Sequence, residues 1–130
     1  MPALLQPLVA RFAEAQRPWH RLLHNFCPNE SNSNDYQAAR GHYLADHFDD
    51  RFLSGDILVG VSLSGECHMS FKNEKPPHQT VKVRLPRCSL QVVTGKARFE
   101  WTHGIQKSDL LDPRRVSVIF RQSKCPWPEP

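Results

Sequence analysis

The residues best placed to do chemistry are His47 and Asp49, with Phe48 between them. In an extended chain side chains alternate, so the imidazole and the carboxylate share one side and Phe48 takes the other. Together they make two thirds of a 2-His-1-carboxylate triad. Such a triad suits non-haem Fe(II) because it leaves adjacent coordination positions open. Alone, His-x-Asp arises often by chance, and its weight depends on a third ligand further along the chain. His103 shares a strand-like face with Phe99, Trp101 and Ile105, which predicts an interior position. A lone buried histidine is more often satisfied by a backbone carbonyl. With His47 and Asp49 upstream, it completes a His-x-Asp…His set.

The last patterned run carries a second signal. Arg115, Ser117, Ile119 and Arg121 alternate with Val116, Val118 and Phe120. One face is therefore apolar and the other holds two arginines. If the arginine face is solvent, both are simply exposed. If it lines a cavity, a buried guanidinium needs an anion. A carboxylate ligand meets that need because the guanidinium fork binds it at two points. The triad upstream favours the cavity, and with it a 2-oxoglutarate site.

The elements that must position these groups follow from the hydrophobic period. Residues 6–16 predict a helix, with Pro7 in its first turn, an apolar stripe of Leu8, Val9, Phe12 and Ala13, and Pro18 as its stop. A second short turn carries Trp19, Leu22, Leu23 and Phe26 on one side. Residues 28–34 read as a polar loop. The period then changes from helical to alternating. Ile57, Val59, Val61 and Leu63 share a face. Cys67, Met69 and Phe71 alternate with His68 and Ser70. Val81, Val83 and Leu85 alternate with Thr80, Lys82 and Arg84. Residues 89–94 are strand-like and end at Gly95. The run with Phe99, Trp101, His103 and Ile105 sets them against Arg98, Glu100 and Thr102. Turn residues separate these runs, as in an antiparallel sandwich or barrel. The fold expected is mainly β.

Length and composition set the bounds. The chain has 130 residues, enough for one core, and 39% of them are hydrophobic. A net charge of +4 is compatible with a polyanionic partner without arguing for one. No apolar stretch reaches membrane-spanning length, and the start lacks a secretory pattern. Cys27, Cys67, Cys88 and Cys125 form no Cys-x-x-Cys pair, so they are expected as reduced, mostly core thiols of an intracellular protein in nucleus or cytoplasm. The expected organisation is one domain over residues 1–122, with a helical lead-in at 1–27, a core at 35–122 and a proline-rich tail at 123–130. A monomer is expected.

With Asn34-Asp35-Tyr36, His47-Phe48-Asp49-Asp50, Trp101-Thr102-His103-Gly104-Ile105 and Arg115-Val116-Ser117-Val118-Ile119-Phe120-Arg121 in view, the chain resembles the AlkB family of Fe(II)- and 2-oxoglutarate-dependent dioxygenases. The spacing between Tyr36 and His47, the doubled aspartate and residues 90–101 look most like the branch of the fourth animal homologue. The resemblance implies a double-stranded β-helix with Fe(II) held by His47, Asp49 and His103. It implies 2-oxoglutarate and O2 as cosubstrates. Asn34 and Tyr36 would hydrogen-bond the 2-oxoglutarate, Arg115 would pair with its distal carboxylate, and Arg121 would orient the keto acid. Ser117 stands where many members have Asn, so that contact is altered. No catalytic residue beyond the ligands is implied. The implied reaction is oxidative demethylation of an N-methyl group in nucleic acid or in protein lysine. Asp50 is expected as a supporting or surface acid, and His42, His68 and His78 as non-ligands. Family members carry a further N-terminal section that forms a lid. This chain starts one or two helices before the first strand, so a reduced or partial member is expected. The rival is a non-catalytic jelly-roll module that binds a small anion or a partner protein.

Overall fold

The computed structural model describes residues 1–124, so the expected tail, from 125 on, and Cys125 lie outside the described residues. Its strands are β1 (Glu30–Gln37), β2 (Leu44–His47), β3 (Ser54–Ser64), β4 (Cys67–Asn73), β5 (Thr80–Leu85), β6 (Leu90–Val93), β7 (Trp101–Ile105) and β8 (Arg114–Ser123). They form two four-stranded sheets, ordered β1-β8-β3-β6 and β2-β7-β4-β5, with antiparallel pairing throughout. This is the mainly β jelly roll expected from the alternating runs. Three short helices accompany it: α1 (Gln6–Ala10), α2 (His20–Leu23) and α3 (Gly95–Phe99).

Two cores divide the apolar residues. Between the sheets lie Tyr36, Leu58, Cys67, Met69, Phe71, Leu85, Val93 and Ile105. On the outer side of the first sheet, Val59, Val61, Val118 and Phe120 meet Phe12, Leu23 and Phe26 of the lead-in. Phe12 packs edge-on to Phe120, with centroids 5.3 Å apart, and at a tilt to Phe26 at 5.9 Å. β3 and β8 are thus buried on both faces. On β8 the apolar face holds the helices, which frees the arginine face for the interior.

The lead-in departs from one helix over residues 6–16. It breaks into a 3-10 turn (Ala3–Leu5), α1 and a second 3-10 turn (Arg11–Ala13), and Glu14 is already extended at ψ 120°. The chain must double back there to bring Leu23 beside Phe12, and tertiary packing overrides helix propensity. Leu22 is exposed, not part of the apolar side.

Three further expectations are corrected. The polar loop at 28–34 is largely β1, and the barrel begins at Glu30 rather than residue 35. β1 pairs with β8 in unbroken register from Glu30↔Arg121 to Gln37↔Arg114. Its inward residues Asn32, Asn34 and Tyr36 form the polar wall of a cavity while Ser33 and Asp35 face solvent, so it lacks the apolar alternation that marks a strand. Phe99 is not on β7. Gly95 takes a φ of 59° and the good helix formers Lys96, Ala97 and Arg98 make one turn of α3. Finally, only Cys67 of the described cysteines is a core thiol; Cys27 and Cys88 are free and exposed, the first on the irregular segment before β1 and the second on the turn between β5 and β6. No helix among the described residues is long and apolar enough to cross a membrane.

Candidate metal and cosubstrate site

His47 ends β2 directly opposite His103 on β7, and Asp49 comes two residues later. The two rings lie 4.5 Å apart at 54°. Asp49 Oδ1 is 3.1 Å from His47 Nε2 and 3.4 Å from His103 Nε2. One donor atom from each residue falls within 4.8 Å of the others, and this is the metal-type cluster found among the described residues. Donors bound at right angles to one ion at about 2.1 Å lie about 3 Å apart. The pairs at Asp49 are close to that spacing. The donor set is two imidazoles and one carboxylate, the set preferred by non-haem Fe(II). His47 Nδ1 lies 2.7 Å from the Ala45 carbonyl. Donating its proton there leaves Nε2 as the ligating atom.

Asp49 is 7% exposed. Burial alone would raise its pKa, but hydrogen bonds to His103 and His47 and the Arg121 guanidinium hold the carboxyl well below the usual range. It is therefore a carboxylate at neutral pH. His47 is shifted upward, chiefly by its bond to Asp49 and against the effect of burial. A metal must displace that proton, and displacement gets harder as pH falls. Mn(II) affinity, followed by calorimetry from about pH 8 to about pH 6, should drop by up to about tenfold per unit once His47 holds its proton. A flat profile across that range would contradict Nε2 ligation.

Behind the cluster lies a cavity of about 240 Å³, lined on one side by Asn34, Tyr36, Arg115, Ser117 and Arg121 and on the other by Leu44, Met69, Leu85 and Ile105. Arg115 is only 3% exposed. Its Nη1 donates to Ser117 Oγ at 3.1 Å and its Nη2 to Ser62 Oγ at 2.9 Å. Its Nε has no hydrogen-bond partner, and no carboxylate stands within ion-pair distance among the described residues. A guanidinium buried with hydroxyls alone is under-compensated, and an anionic group in the cavity would complete it. Tyr36 lies beside it, ring centroid 5.9 Å from the guanidinium carbon, and burial pushes the phenol pKa up, so it stays a neutral donor.

Arg121 stands at the metal end of the cavity. Its Nε donates to Asp49 Oδ2 at 2.5 Å, and Nη1 reaches Glu30 at 3.5 Å. With the Asn32 amide oriented to satisfy both its ends, Oδ1 accepts from Arg121 Nη1 at 2.8 Å. Arg121 thus grips the candidate ligand Asp49 while also lining the cavity. Asp50 accepts from the Phe52 and Leu53 amides at 2.8 and 2.7 Å and closes a turn. His42 Nδ1 lies 3.1 Å from Gln37 N and 3.2 Å from the Asp35 carbonyl, accepting from the first or donating to the second according to its tautomer. Neither it nor His68 or His78 joins a metal-type cluster among the described residues.

Two further residues of the site escaped the sequence reading. Arg98, expected on an outward face, is 2% exposed and points at the backbone around Asp49. Gly104 has no room for a side chain: a Cβ would come within 2.4 Å of Asp46 Oδ1 and 2.8 Å of the Leu44 carbonyl. Glycine inside a strand marks such a close approach. Gly104→Ala should push β2 away from β7, costing about 1–3 kcal/mol of stability. Because β2 carries His47, it should weaken Mn(II) binding as well. A variant with unchanged melting temperature and metal affinity would show that β2 yields freely there.

Comparison with known proteins bears on the same region. A family model described as the 2OG-Fe(II) oxygenase superfamily matches residues 1–121. The chain is 40% identical over 92 residues to a mouse tRNA (carboxymethyluridine(34)-5-O)-methyltransferase ALKBH8, covering 71% of this chain and 12% of that protein. It is 32% identical over 129 residues to the mouse alpha-ketoglutarate-dependent dioxygenase alkB homolog 4, covering 77% of this chain and 43% of that protein. It spans less than half the length of either relative. The solved structure of OsALKBH1 matches with a TM-score of 0.61 at 20% identity, over 92% of this chain and 61% of that one, a likeness of fold.

Proposed function

Because the chain belongs to the 2OG-Fe(II) oxygenase superfamily, as an AlkB-like member, we propose that it forms the catalytic core of a dioxygenase that oxidises N-methyl groups. The observation that carries this reading is a His-Asp-His cluster beside a buried arginine that lacks an anion. His47, Asp49 and His103 would hold Fe(II). When bound with 2-oxoglutarate and O2, Fe(II) supplies oxidation of a C–H bond, and a hydroxylated N-methyl group then leaves as formaldehyde.

The chain's own residues do the rest. Arg115 supplies a fixed charge for the distal carboxylate of the cosubstrate, held in place by Ser117 and Ser62. Tyr36 and Asn34 offer neutral hydrogen-bonding groups along the same wall. Met69, Leu85 and Ile105 form the apolar opposite wall and keep water from the reacting end. Arg121 holds Asp49 Oδ2, which leaves Oδ1 facing the two histidines. The substrate is a methylated nucleic acid or a methylated protein lysine.

Succinate and formaldehyde, measured together with Fe(II), ascorbate and 2-oxoglutarate, test the reading. Succinate should form, and formaldehyde should rise with the right methylated substrate. Metal and 2-oxoglutarate bound with no succinate under any condition would favour a non-catalytic anion-binding module.

A further inference from the structure

We propose that Arg98 is a positioning residue for the metal: its guanidinium fixes the backbone that carries Asp49 relative to the strand that carries His103. This rests on the metal reading above. β2 ends at His47 and β3 begins at Ser54, so Asp49 sits on a connection without a strand ladder to hold it. Arg98 supplies what the ladder does not. Its Nη1 donates to the Asp49 carbonyl at 3.1 Å, its Nη2 to the Asp50 carbonyl at 2.7 Å and its Nε to the Gly55 carbonyl at 3.4 Å. Three carbonyls on both sides of the turn are thus gathered by one rigid planar fork.

The anchor for that fork is the other half of the site. Arg98 lies on α3, which leads directly into β7 and His103. A second tie runs the same way, from Arg51 Nη1 to the Phe99 carbonyl at 3.3 Å. So the ligand connection is fastened to the α3–β7 unit, and the ligands from two separate strands keep one spacing. Arg98 is 2% exposed and has no carboxylate within ion-pair distance among the described residues. The Phe99 ring lies 4.9 Å from its guanidinium carbon, and Asp49, Asp50 and Asp56 act on it from further off. Yet every hydrogen bond that Arg98 makes goes to backbone, a costly way to fill space. An apolar side chain would serve a purely packing role better, but it would leave the Asp49 carbonyl unpaired. A lysine would keep the charge yet present a single point that cannot span three carbonyls.

The test is Mn(II) binding to metal-free full chain, by calorimetry and by the Mn(II) paramagnetic resonance spectrum, below each variant's melting temperature. Arg98→Lys should weaken Mn(II) by about tenfold, and Arg98→Met by more, with broadened spectra. Leu23→Ala, cut from the outer core, should lower the melting temperature but leave Mn(II) affinity and spectrum alone. Should Arg98→Met fail to fold, the comparison of Arg98→Lys with Leu23→Ala decides. Arg98→Lys binding Mn(II) as tightly as the parent overturns the proposal. So does an equal loss in Leu23→Ala at a matched drop in melting temperature. No Mn(II) binding by the parent itself would instead overturn the metal reading, and this proposal with it.

Discussion

His103→Ala should leave a folded chain that no longer holds Fe(II) or Mn(II), its affinity reduced by more than about a hundredfold, beyond what loss of a supporting partner costs. Two donors remain, and a pair cannot define the open-sided geometry that three provide. The fold should survive because the ring lies at the cavity edge, packed on Phe71 with centroids 6.1 Å apart. Truncation there should cost about 1–3 kcal/mol, less than cutting a large residue from a closed core. Asp49→Asn should be as severe for metal and harsher for the fold. It removes the charge facing Arg121 Nε and leaves that guanidinium, 15% exposed, with Glu30 as its remaining acid. Calorimetry with Mn(II) and thermal melts of the metal-free proteins separate the two effects. His103→Ala binding metal as the parent does would remove His103 from the centre.

The second large effect is at Arg115, where binding and stability should move in opposite directions. Arg115→Lys keeps the charge but loses the fork, and Arg115→Ala loses both. Affinity for 2-oxoglutarate should fall in that order, by about 1.5–3 kcal/mol or more for the complete loss of a charge-assisted bond. Without 2-oxoglutarate the sign reverses for a well-packed replacement. Arg115 is buried with an unpartnered Nε and two serine hydroxyls as its acceptors. Arg115→Met removes an uncompensated buried charge, so its melting temperature should equal or exceed that of the parent. Added 2-oxoglutarate should then raise the parent's melting temperature and leave that of Arg115→Met unmoved. Equal 2-oxoglutarate affinity across the series would show that the anion binds elsewhere.

Much of this site was legible in the sequence because its signals are local. His47 and Asp49 are two residues apart, and Arg115 and Ser117 declare their face by alternation with Val116 and Val118. What stayed hidden depends on contacts between distant residues. β1 lacks apolar alternation because it supplies the polar wall of the cavity on one side and meets water on the other. Its strand character comes from β8, far along the chain, as in the pairing of Glu30 with Arg121. Arg98 follows the period of a continuous strand from Phe99 onward, but Gly95 starts a helical turn that sends it inward. Gly104 shows its role only when β2 lies across it. The cysteines misled because composition describes an average, whereas Cys27 and Cys88 sit on connections between elements.

The polarity that concealed β1 also sets the character of its exposed edge. β1 stands at the end of its sheet with a neighbour on one side only. A strand edge of eight residues is long enough to recruit a second chain by ladder extension, the route by which edges seed aggregates. Here the usual lure is missing: Tyr36 is the one large apolar residue in Glu30–Gln37, and it is turned inward at 7% exposure. His42 folds back onto the rim at Asp35 and Gln37, blocking part of the free edge. Serines, asparagines and acids along the remainder bind water more readily than a sticky neighbour. The side chains that line the cavity wall therefore leave this strand edge without an apolar face to offer.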